Sequence, residues 1–344
     1  MGNSDKRYPP FQLQNALRAN GGADRERFES LLSVAYESRK GADMLDEVST
    51  LGYKFMYEGL WNVNAACNHI TKTIVMDSYH TSENMAPAFI HEVDHALQFS
   101  RIGKDVSKLN AADYIVLHRA LEADACAHQA AFTWEMKDNH PRMFQEEMKS
   151  PIMRAYAAEM EKSGDVRKAM RASFESWFDF KTYRDVYEEG HCKDVMHICS
   201  LAEKNPDGGY FSDSFFVAEI CKVCHLEEKP YINPDFLKSD KARAVSAETK
   251  RKLSSALLEV SRKSGLIADK SVAALPVYKE NGASEKTAFL SAAVKKTGAK
   301  FRTLRDRAFF PFPVNRKTLV CEKRGAFSPC LLRGNRVFRT SSSA

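Results

Sequence analysis

The sequence predicts an α+β fold, predominantly helical overall, in which a small, mostly antiparallel sheet on the N-terminal side packs on long helices. Three observations predict it. Strand-like runs cluster between residues 53 and 76, and apolar residues recur at helical spacing through most of the next hundred residues. The third is that 344 residues with 44% hydrophobic content suffice for a packed core.

In chain order, Phe28, Leu31, Leu32 and Ala35 fall at helical spacing within Asp24 to Tyr36, and Gly41 supplies a stop. A second helix covers about Ala42 to Thr50. Tyr53 to Tyr57, Leu60 to Ala66 and Thr73 to Met76 have strand composition, and the turn-like stretch from Asn68 to Lys72 makes the last two a hairpin. The pattern then turns helical. One helix begins near Ser82, tolerates Pro87 near its first turn and runs to Gly103. Another spans about Ala111 to Lys137, with Asn110 as N-cap and Asp113 at the capping-box position. Pro141, Pro151 and Gly164 punctuate further helices to about Glu189. Pro206-Asp207-Gly208-Gly209 is the clearest break, dividing the chain into residues 1–205 and a C-terminal region, 206–344. In the latter, Phe215 to Cys224 and Ala247 to Lys263 read as helical, and the end is basic and irregular.

The chemistry concentrates in His91-Glu92-Val93-Asp94-His95. On a helix, positions i and i+4 lie about 40° apart, so His91 and His95 share a face and can grip one metal ion. Glu92 stands beside that face, where a carboxylate can take a proton from an activated water. Ile90, Val93 and Leu97 form an apolar stripe that pins the helix to the core. A catalytic zinc needs a third protein ligand. The second long helix offers His118 and Glu122 on one face. Glu122 is the better candidate, because Ala123, Ala125 and Ala127 allow close helix packing, and His118 is its rival. Asp124 is read as orienting a ligand histidine and Asp94 as a solvated surface charge.

A helical HExxH followed after a few tens of residues by Glu122-Ala123-Asp124-Ala125 resembles the gluzincin arrangement, in particular the IrrE-like peptidases and related uncharacterised bacterial metallopeptidase families. The likeness covers about residues 25 to 135. It implies a zincin-like peptidase domain with one Zn2+ per chain held by His91, His95 and Glu122, with Glu92 as general base and a peptide or protein as substrate. It also implies that Thr73, Ile74, Val75 and Met76 form the edge strand beside which an extended substrate lies. One departure stands out: Cys126 occupies the place where thermolysin-like members carry Asp, four residues after the ligand Glu. The oxyanion stabiliser stays open among Tyr79, His80, Tyr114, Tyr183 and Tyr187.

Composition excludes other classes. No uninterrupted apolar run could span a bilayer and no signal-like start is seen, so the chain reads as soluble and cytoplasmic. Eight cysteines are too sparse for a disulfide scaffold. Cys221 and Cys224, with His225, His191, Cys192, His197 and Cys199 nearby, read as buried or idle thiols rather than a structural zinc site. Trp177 to Phe180 and Phe215 to Val217 read as core. Net charge is +6, and residues 300–344 hold eleven Lys or Arg against two acids. A possible anionic partner for this tail frames the alternative function: a catalytically quiet zincin-fold protein acting through its basic end on nucleic acid or a protein partner.

Overall fold

A computed structural model describes residues 13, 15–18, 22–60, 64–265 and 269–278. The basic tail and the anionic partner expected for it lie outside the described residues. The chain opens with helix α1 (Gly22–Tyr36), which buries Phe28, Leu31, Leu32 and Ala35, the stripe its spacing predicts. Helix α2 (Arg39–Ser49) follows after one turn; Ser38 caps it, its hydroxyl accepting from the Gly41 amide.

Three strands come next: β1 (Lys54–Glu58), β2 (Ala65–Asn68) and β3 (Thr73–Asp77). The expected hairpin of β2 and β3 forms, but its first strand is Ala65–Asn68, later than the expected Leu60 to Ala66. The Asn68 side chain closes its turn by accepting from the amides of Ile70 and Thr71, and Lys72 takes a left-handed φ of 48°. The sheet order, β1-β3-β2, corrects two expectations. The sheet is mixed, since β3 runs parallel to β1 and antiparallel to β2. Moreover Thr73, Ile74, Val75 and Met76 belong to the central strand and not to an edge. The physical reason is burial: every residue of β3 is buried, whereas β2 buries only its first, and a strand apolar on both faces gains most at the centre. The edge beyond β3 is therefore β2.

Helix α3 (Ser82–Ile102) starts at the Thr81 cap and stops at Gly103, whose φ of 63° suits glycine. Helix α4 (Ala111–Glu135) starts at Asn110, whose side chain accepts from the Asp113 amide and donates to the Asp113 carboxylate. Helices α5 (Pro141–Glu147), α6 (Pro151–Ser163), α7 (Val166–Trp177) and α8 (Lys181–Lys204) follow, α8 running well past Glu189. After a short 3-10 turn at Pro206–Gly208 come α9 (Val217–Val223), the small hairpin β4 (His225–Leu226) and β5 (Lys229–Pro230), α10 (Pro234–Lys238), α11 (Asp240–Arg243) and α12 (Ala247–Ser264).

Two apolar clusters meet along α3 and α4. One joins α1, α2, the sheet and most of α3; the other joins most of α4 to α6, α7, α8 and the segments from Phe215 to Leu275. Apolar packing is thus continuous across the Pro206–Gly209 break. Trp177, Phe178 and Phe215 are core, as expected, but Phe216 is 69% exposed, because it sits at the N-cap of α9 and points outward. Among the described residues no cysteine joins a metal-type cluster. No helix among them is long and apolar enough to cross a membrane.

Candidate metal centre

Helices α3 and α4 bring His91, His95 and Glu122 together at the junction of the two apolar clusters. The two Nε2 atoms lie 3.1 Å apart. Glu122 Oε2 is 3.5 Å from His91 Nε2, and Glu122 Oε1 is 3.6 Å from His95 Nε2. Ligands about 2.0–2.1 Å from a tetrahedral zinc are separated by about 3.4 Å, so this triangle has the dimensions of one tetrahedral face. His91, Glu92 and His95 are each under a tenth exposed. The donor set, two imidazoles and a carboxylate, suits a borderline cation such as Zn2+.

Electrostatics agree. Desolvation pushes the Glu122 carboxyl up, but the adjacent His95 and His91 outweigh it and hold the group well below the usual carboxylate range. Burial disfavours the charged form of His95, yet Glu122 and Glu92, helped by Gln98, raise its pKa to about 10. The cluster thus favours positive charge at the point where the ligand atoms converge. Glu92 stands outside the triangle. Burial raises its pKa, opposed by His95 and His91, and the Cys67 backbone amide of β2 donates to its carboxylate.

His118 is not part of the triangle. Its ring packs 4.2 Å from that of Tyr114 and 5.5 Å from that of His191, and burial with His191 holds its pKa well down. Of the five oxyanion candidates, Tyr187 is the one beside Glu122, where burial and that carboxylate push its hydroxyl pKa up. Tyr79 is 84% exposed, His80 binds Asp77, Tyr114 faces Asp194, and Tyr183 packs near Ser150.

Gln98 escaped the sequence reading. Its side-chain carbonyl accepts from His95 Nδ1 at 2.9 Å, and its amide faces Asp94 at 2.6 Å, Asp124 at 2.8 Å and the Leu121 carbonyl at 2.9 Å. Asp124 therefore reaches His95 through Gln98, and its other oxygen accepts from the Tyr231 hydroxyl at 2.6 Å. Asp94 is not a solvated charge but fully buried, since its side of α3 faces α4. The available signal was spacing: Gln98 lies one turn beyond both Asp94 and His95.

A family model described as "Putative metallopeptidase family (DUF6782)" matches residues 13–231, well over half the chain. The chain belongs to that family. Its DUF6782 assignment supports a metal-dependent hydrolase of peptides, and the matched region contains α3, α4 and every residue of the triangle. It ends at Tyr231, the residue whose hydroxyl holds Asp124. No curated protein and no solved structure matches the chain.

Proposed function

We propose that this DUF6782 protein is a cytoplasmic zinc peptidase with a zincin-like fold, in which His91, His95 and Glu122 hold one catalytic Zn2+ and Glu92 is the general base. The observation that carries the reading is the buried triangle of two imidazole nitrogens and a carboxylate, with a second carboxylate just outside it. Zinc bound there would lower the pKa of a water and polarise the scissile carbonyl. The chain's own residues do the rest. Glu92, made more basic by burial, takes the proton of the attacking water and passes it to the leaving amine. Gln98 fixes the His95 tautomer by accepting from Nδ1, which leaves Nε2 free to ligate. Tyr187 is the side chain placed to meet the developing oxyanion. An extended peptide adds along β2, whose Cys67 amide already touches Glu92.

Metal per chain by plasma mass spectrometry, with peptide turnover, tests this. His91→Ala, His95→Ala and Glu122→Ala should each remove one zinc, and His118→Ala none. Glu92→Gln should keep the zinc while turnover drops by about 100-fold or more. Zinc unchanged in the first three variants, or full turnover in Glu92→Gln, would sink the proposal; zinc-loaded wild type without peptide turnover would favour a catalytically quiet scaffold.

A further inference from the structure

Behind the triangle, on the far side of Gln98, lies another cluster, whose carboxylates hold Gln98 but whose histidine the peptidase reading does not use. Asp94 on α3 and Asp124 and His128 on α4 converge there, with exposures of 0%, 0% and 3%. His128 Nδ1 is 3.6 Å from Asp94 Oδ1, and His128 Nε2 is 3.5 Å from Asp124 Oδ1, the oxygen that also accepts from the Tyr231 hydroxyl. These separations are longer than ordinary hydrogen bonds. Neither His128 nitrogen, nor Asp94 Oδ1, meets a hydrogen-bond partner among the described residues. The remaining carboxylate oxygens are accounted for: Gln98 faces one oxygen of each carboxylate, and Tyr231 donates to the other oxygen of Asp124.

We infer that Asp94, Asp124 and His128 form a second divalent-metal site, structural in role, that takes Zn2+. Buried polar atoms without partners are rare in native proteins, and here Asp94 Oδ1 and both ring nitrogens of His128 are among them. A single zinc would take one nitrogen of His128; the three residues each offer one ligand atom within 4.8 Å of the others, and a small side-chain shift brings that spacing to the ~3.4 Å between ligands of a tetrahedral zinc. One imidazole and two carboxylates suit zinc better than calcium, which takes six to eight oxygens. Two carboxylates with a neutral imidazole would balance a dication. Two neighbouring cations oppose a metal here: Arg101, which Glu47 engages at 2.8 Å, and Lys40, whose charged form burial disfavours. Entry is open, because His128 lines a cavity of about 550 Å³ that also touches Lys40, Arg101 and Glu135.

The competing occupant is a proton, which would make His128 an imidazolium between two carboxylates. Zinc stoichiometry separates the two. The full chain, loaded with excess Zn2+ and desalted, should carry two zinc ions when wild type. It should carry one as His91→Ala/His95→Ala, one as His128→Leu, and none when these changes are combined. The His91→Ala/His95→Ala variant keeps all three residues of the new site, so its Tm should still rise on adding Zn2+, and this rise should vanish when His128→Leu is added. One zinc in the wild type that survives His128→Leu, or a His91→Ala/His95→Ala variant that keeps the wild-type circular dichroism but binds no zinc, overturns the inference. Failure of the peptidase reading looks different: His91→Ala/His95→Ala would then retain the wild-type zinc content.

Discussion

Each imidazole at a metal centre needs one nitrogen facing the ligand position and the other tied down. For His95 the tie is Gln98, itself held by Asp94, Asp124 and the Leu121 carbonyl. Gln98→Met keeps the volume but removes the acceptor at His95 and the donor shared by two buried carboxylates. Zinc affinity at the catalytic triangle should fall about 10- to 100-fold, measured by competition with a chromophoric chelator; an unchanged constant would count against the role. The His95 proton gives a pH dependence. Its folded pKa, about 10, lies above the ordinary value near 6.5, so folding takes up a proton between these limits. That stability is fully present below about pH 6.5 and is lost as pH rises through about 10. The Tm of the metal-free chain should therefore decline over that window, and the decline should flatten with zinc bound, because the metal replaces the proton. A flat metal-free profile would contradict the assignment.

At the scale of elements, the centre depends on how closely α3 and α4 approach. Ala120, Ala123 and Ala127 along α4 are all fully buried, so no side chain there holds neighbouring elements away. Ala123→Leu should overpack the site beside Glu122 and cost about 1–3 kcal/mol, read from the urea midpoint, with weaker zinc binding in parallel. Full stability would show that the core there has room. Both helices were legible in the sequence because Gly103 and the Asn110 cap are local devices; the Thr81 cap came from the structure. The sheet was legible only in part. Thr73-Ile74-Val75-Met76 lacks the polar alternation of a half-exposed strand, which is the mark of a central strand, yet its pairing partners lie elsewhere in the chain.

For the whole molecule, Arg119 on α4 is a crossing point. It pairs with Glu188 of α8 at 2.9 Å and also donates to the Ala244 carbonyl at 2.7 Å and the Tyr278 hydroxyl at 3.0 Å. These bonds tie the segments after residue 206 to the helix that carries Glu122. Glu188→Ala would leave Arg119 buried without its carboxylate, and unfolding free energy should fall by about 3–5 kcal/mol in chemical denaturation. A loss below 1 kcal/mol would mean that the pair is dispensable. Tyr231 makes a similar link, reaching Asp124 across 107 positions of sequence.

What the sequence determined by itself was whatever depends on spacing along one helix: the shared face of His91 and His95, the position of Glu92 beside it, the caps, and the small residues that flank Glu122. The approach of Glu122 rather than His118 to the two histidines, the central place of β3, the burial of Asp94 and the Gln98 bridge were decided only by tertiary structure. Each of these depends on where a second element lies, and long-range packing sets that, not the local periodicity of either segment.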